Sequence, residues 1–77
     1  MEEFIEPIKV YIKVNTKYEI IAVGSSIFIT DLTNWIEIDS GFGDKYAHAQ
    51  SQYFDKPLMN ETGTYNYKLL NGSVVEV

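Results

Sequence analysis

The chain predicts a small α+β domain, rich in β-structure. About five short, mostly antiparallel strands, two β-hairpins among them, accompany one short helix. Three observations carry this expectation. Apolar and polar residues alternate over 8–14 and again over 35–39; loop-forming residues sit between paired β-rich runs near both ends; and a single helical period follows Asp44. At 77 residues the chain suits one domain, with residues 1–7 as an N-terminal arm and 8–77 as the folded unit. A chain this short buries only ~60% of the surface its unfolded form exposes. It has no cysteine, hence no disulfide and no thiolate zinc site, so an apolar core must hold it together. The composition allows one, at 45% apolar and 14% aromatic residues.

In chain order, Ile8, Val10, Ile12 and Val14 share one face of the first strand, and Lys9, Tyr11 and Lys13 share the other. A second strand covers Tyr18 to Val23. A three-residue loop at Asn15-Thr16-Lys17 sets Val14 opposite Tyr18, Ile12 opposite Ile20, Val10 opposite Ala22 and Lys13 opposite Glu19. Gly24-Ser25-Ser26 breaks that strand, and Ile27 to Thr33 reads as a turn or one helical turn. Trp35 to Asp39 is a third strand, ended by the turn chemistry of Ser40 to Asp44. Asp44 then caps a helix over Lys45 to Gln52, and Asp55-Lys56-Pro57 stops it. At the C-terminus Tyr65 to Leu70 and Ser73 to Val77 form a hairpin. A two-residue Asn71-Gly72 loop places Glu76 among apolar residues. A three-residue loop pairs Tyr67 with Val75 and Tyr65 with Val77 and sets Lys68 and Glu76 on one polar face, so it is the expected register.

Charge narrows the function classes. Six Lys, no Arg and eleven Asp plus Glu give a net charge of −5, the wrong sign for a phosphate-neutralising surface, so nucleic acid is not an expected partner. The opening Met1-Glu2-Glu3-Phe4 is acidic where a signal peptide is basic, and the longest apolar run is Ile20 to Val23, so neither a signal peptide nor a membrane span is expected. Catalysis has little to work with. His48 is the one histidine, no serine sits in a nucleophile elbow, and a hydrogen-bonded structural imidazole is the simpler reading. Asp39 to Asp44 lacks the spacing of a calcium loop, and Gly41 with Gly43 makes no dinucleotide fingerprint. No catalytic residue, metal or cofactor is expected.

The aromatic residues suit a core without staples, although exposed Trp and Tyr could also stack on sugars. Tyr11 stands apart, because its neighbours Lys9 and Lys13 place it on the polar face, exposed or covered by a partner. The candidate interaction surface is therefore Tyr11, Trp35, Tyr46, His48 and Tyr53.

One stretch is more distinctive: Gly43-Asp44-Lys45-Tyr46-Ala47-His48-Ala49-Gln50. With Asp31-Leu32-Thr33, Trp35-Ile36, Asp55-Lys56-Pro57-Leu58, Tyr67-Lys68-Leu69 and Val74-Val75-Glu76, it resembles a short module of phage and prophage tail-region proteins of Firmicutes. The resemblance covers roughly residues 8 to 77. It implies a non-enzymatic structural or interaction module, located in the virion or, as a prophage product, in the bacterial cytoplasm. Its implied partners are other tail or virion proteins, or further copies of itself. The alternative is an accessory domain that binds carbohydrate or another cell-surface ligand through exposed Trp and Tyr.

Overall fold

A computed structural model describes residues 6–77. Of the expected arm, residues 1–5 lie outside the described residues, and Glu6 and Pro7 are exposed. The strongest alternating segment becomes the centre of the fold: β1 (Ile8–Val14) pairs antiparallel with β2 (Ile20–Ser25) on one side and β3 (Ile36–Gly41) on the other. Two single-turn helices follow, α1 (Asp44–Ala47) and α2 (Ala49–Gln52), and then a separate hairpin of β4 (Tyr67–Leu70) and β5 (Ser73–Glu76). Five strands in two antiparallel sheets with two short helices make a small, β-rich α+β architecture, as the alternation predicts.

The first hairpin has a three-residue loop, but one residue later than expected. The Asn15 side chain organises it: its Oδ1 accepts from the amides of Lys17 and Glu19, and its Nδ2 donates to Glu19 Oε1 at 2.8 Å. The Asn15 amide donates to the Glu19 carbonyl, which leaves Thr16-Lys17-Tyr18 as the loop, with Tyr18 in the left-handed region at φ 63°. Val14 therefore faces Ile20. Ile21 bulges out, and beyond it Lys13 faces Ala22, Ile12 faces Val23, Tyr11 faces Gly24 and Val10 faces Ser25. The expected Ile12–Ile20, Val10–Ala22, Val14–Tyr18 and Lys13–Glu19 pairs do not form. Alternation reports which face a residue takes, not how a bulge rephases the ladder.

The expected turn after β2 is present, closed by the Phe28 and Ile29 amides donating to the Ser25 carbonyl. The expected single helix is not. The chain breaks at His48 (φ −116°, ψ 47°), and Gly43, not Asp44, precedes the first turn. An isolated two-turn helix is marginal, so tertiary contacts decide its shape. Here the break brings the Ala47 carbonyl within 3.0 Å of the hydroxyl of fully buried Ser25 and buries Ala49. A buried hydroxyl without a partner would cost about 1–3 kcal/mol, which outweighs the weak continuity of the helix.

The C-terminal hairpin also departs from its expected register. Tyr67 faces Glu76, Lys68 faces Val75, Leu69 faces Val74 and Leu70 faces Ser73, around a two-residue loop. Asn71 and Gly72 both have positive φ, 53° and 82°, as a tight primed turn requires. The predicted Tyr67–Val75 and Tyr65–Val77 pairs would have matched faces better. Turn chemistry prevails because the misplaced charge finds a partner elsewhere: Glu76 pairs with Lys56 at 2.7 Å, not with Lys68.

The core is small. Ile12, Ile20 and Tyr67 are its buried centre, with Val14, Val23, Ile38, Phe54, Leu58, Leu69 and Val74 packed around them. The two sheets meet where the Leu69 amide donates to the Tyr18 carbonyl at 2.8 Å and Glu19 bridges to Lys68. The radius of gyration is 13.3 Å, against about 11.5 Å for a compact chain of this length.

Candidate interaction surface

Successive residues of a strand point to opposite faces, and directly opposed residues share one. Tyr11 thus lies on the face of Gly24, and Val10 on the face of Ser25. The loop between β2 and β3 lies against the Gly24 face: a Cβ built on Gly24 would sit 2.6 Å from Ile29 Cδ1 and 3.8 Å from the Trp35 ring. The helical segment covers the Ser25 face through the Ser25–Ala47 hydrogen bond. Both faces of β1 are therefore occupied by the chain itself.

This relocates the predicted surface residues. Tyr11 is only 6% exposed on the central strand, so it is neither a free face nor a partner's anchor. Its lysine neighbours were a misleading sign, because the chain supplies the missing cover through a loop whose path alternation does not reveal. Trp35 is half-buried on that same face, with the Lys13 ammonium 4.7 Å from its ring centroid. Tyr46 and Tyr53 belong to the other face, half-buried, with ring centroids 6.2 Å apart. Tyr46 packs so closely on Gly41 that an added Cβ would lie 2.5 Å from the ring. His48 is exposed, its ring 6.4 Å from that of Phe28, and its imidazole takes part in no hydrogen bond among the described residues, contrary to the expected hydrogen-bonded role. The five residues do not form one surface.

Most of the aromatic rings serve one another. From Tyr46 a chain of contacts runs through Tyr53 and Phe54, edge to face at 5.1 Å, to Tyr67 at 4.4 Å. The Tyr53 hydroxyl donates to Asp39 Oδ2 at 2.8 Å, and burial together with that bond raises its pKa well above the usual tyrosine value. The Lys56 amide donates to the Tyr67 hydroxyl at 3.1 Å, while the Lys56 ammonium, held by Glu76, titrates above the ordinary lysine value. These rings tie the helical segment to both sheets.

Open concavities lie both beside these rings, where Phe54 lines one with Val23, Ala49, Pro57 and Leu58, and away from them. One of the latter, about 520 Å³, is lined by Lys13, Val14, Ile21, Asn34, Trp35 and Ile36 at one end of the three-stranded sheet. A short structured loop positions its indole. Asp31 Oδ1 accepts from the Thr33 hydroxyl at 2.7 Å and the Thr33 amide at 3.0 Å, the Trp35 amide donates to the Leu32 carbonyl, and Asn34 takes the left-handed region at φ 66°. The Thr33 hydroxyl, then its amide, hold the Asp31 carboxyl below its ordinary pKa. Ile21 and Ile36, 42% and 38% exposed, stand on the depression's walls. Sequence reading named only Trp35 from this group. Ile21 reaches the surface by its bulge, and Lys13, expected opposite Glu19, instead faces Ala22.

Among the described residues no cluster of His, Cys, Asp or Glu could hold a metal ion, and no helix is long and apolar enough to cross a membrane. Comparison with family models, curated proteins and solved structures finds no match to this chain.

Proposed function

We propose that this chain is a non-enzymatic structural and interaction module of a phage or prophage tail-region protein, docking onto other tail or virion proteins. The observation that supports docking is the balance between core and surface. Six apolar residues are buried among the described residues, whereas ten large apolar side chains are exposed, with Ile21 and Ile36 gathered at one depression. Apolar groups clustered around a concavity mark interaction sites more often than scattered ones do. The tail-region setting rests on the resemblance across residues 8 to 77. The sugar-binding alternative has less support, because Tyr46, Tyr53, Phe54 and Tyr67 spend their ring contacts on one another.

The test is localisation in the particle. An epitope-tagged chain is expressed from its own locus, the prophage is induced, and gradient-purified particles are analysed by mass spectrometry and immunogold microscopy. Recovery in stoichiometric amount with gold at the tail supports the proposal. Absence from intact particles refutes it.

A further inference from the structure

We infer that the depression around Trp35 is the docking site for a partner-protein segment that presents an apolar side chain beside a carboxylate. This deepens the docking reading by naming the chemistry its partner must carry.

The argument begins with a cation. Lys13 is part-buried against the Trp35 ring, and no carboxylate lies within ion-pair distance of it among the described residues, whose two ion pairs are Lys9–Glu37 and Lys56–Glu76. Asp31, whose carboxyl feels the Lys13 charge, commits its Oδ1 to both donors of Thr33. A half-buried lysine whose ammonium lies over an aromatic face, with its carboxylate neighbour Asp31 beyond ion-pair distance, gains from an added carboxylate in direct contact.

The walls select the rest of the ligand. Val14, Ile21 and Ile36 offer aliphatic surface, and Asn34 is the one uncharged polar side chain in the lining. A sugar would bring several hydroxyls and meet few partners for them, whereas an aliphatic side chain flanked by Asp or Glu matches both walls and cation. Tryptophan half-sunk in such a setting is the residue type enriched at binding hot spots.

Trp35 is the only tryptophan, so its fluorescence reports the site directly. The probes are two blocked peptides, acetyl-Gly-Leu-Glu-Leu-Gly-amide and its Gln counterpart, with oligogalacturonate as an acidic sugar, titrated into the full chain at low and high salt. The expected result is a saturable change with the Glu peptide at about fivefold lower concentration than with the Gln peptide, the size of one partly screened ion pair. That preference should shrink with salt, vanish in Lys13→Gln and persist in Lys13→Arg, with thermal melts confirming that both variants fold. Equal response to the two peptides, no saturation with either, or saturation by oligogalacturonate alone each overturns the inference. Particle incorporation is read separately, so failure here is distinguishable from failure of the tail assignment.

Discussion

Asp31 shows how a single side chain places a larger group. Its carboxylate folds the segment that leads to Trp35, and the Thr33 donors hold its pKa below the ordinary 3.8. A carboxyl depressed in the folded state stabilises the fold fully above its unfolded value and ceases to do so as pH falls through the folded value. Thr33→Val should therefore move the Asp31 pKa back toward the ordinary value, read by NMR titration of the carboxyl carbon, and flatten the loss of stability that this group contributes as pH falls. Two glycines supply a second comparison. At Gly41 a Cβ would meet the Tyr46 ring at 2.5 Å, while at Gly24 it would meet the terminal methyl of Ile29 at 2.6 Å. A ring moves only as a unit, whereas a terminal methyl escapes by rotation. Gly41→Ala should cost about 1–3 kcal/mol by overpacking, and Gly24→Ala clearly less, as measured by urea denaturation.

Among the elements, the C-terminal hairpin shows turn chemistry overruling face matching. Its two-residue loop needs positive φ at both Asn71 and Gly72. Cross-strand NOEs should therefore join Leu69 and Val74 as direct neighbours, and Gly72→Ala should cost about 1–2 kcal/mol through the left-handed penalty. Relief of the face mismatch comes from outside the hairpin, because Glu76 reaches Lys56. The divided helix has the same origin. Ala47 and Ala49 are positioned by β2 and the buried Ser25 hydroxyl rather than by helical continuity. His48, exposed at the break, should tolerate Ala within about 0.5 kcal/mol, by the same urea measurement.

For the whole molecule, the small core sets the energetic scale. An unstapled domain of this size is expected to hold roughly 3–5 kcal/mol of net stability. Ile12 is fully buried at the centre of the core, and Ile12→Ala should cost about 2–5 kcal/mol. That substitution is therefore expected to remove most of the net stability, visible as a large drop in the midpoint of the near-ultraviolet circular dichroism melt of the packed tyrosines. Exposed Ile27, by contrast, should tolerate Ala with little change in the same signal. The extended shape and the large apolar side chains left exposed, Ile21 and Ile36 beside Trp35 among them, follow from the same shortage of core: with two small sheets and no covalent staple, part of the apolar surface stays outside.

By itself, the sequence determined the fold class, the β1 strand, both hairpins, the turn after β2 and the odd-length first loop. These depend on side-chain periodicity and on local turn residues such as Asn15 and Gly72, which act over a few positions. Only tertiary structure decided that β1 is central, that Tyr11 is buried beneath its own chain, that Ile21 bulges to the surface and that the helix divides at His48. Apart from the Ile21 bulge, which arises within the first hairpin, those outcomes depend on partners more than ten residues away: Gly24 and Glu37 beside Tyr11, Ser25 beneath Ala47. Alternation says that a residue has two sides; it does not say which distant segment will cover them.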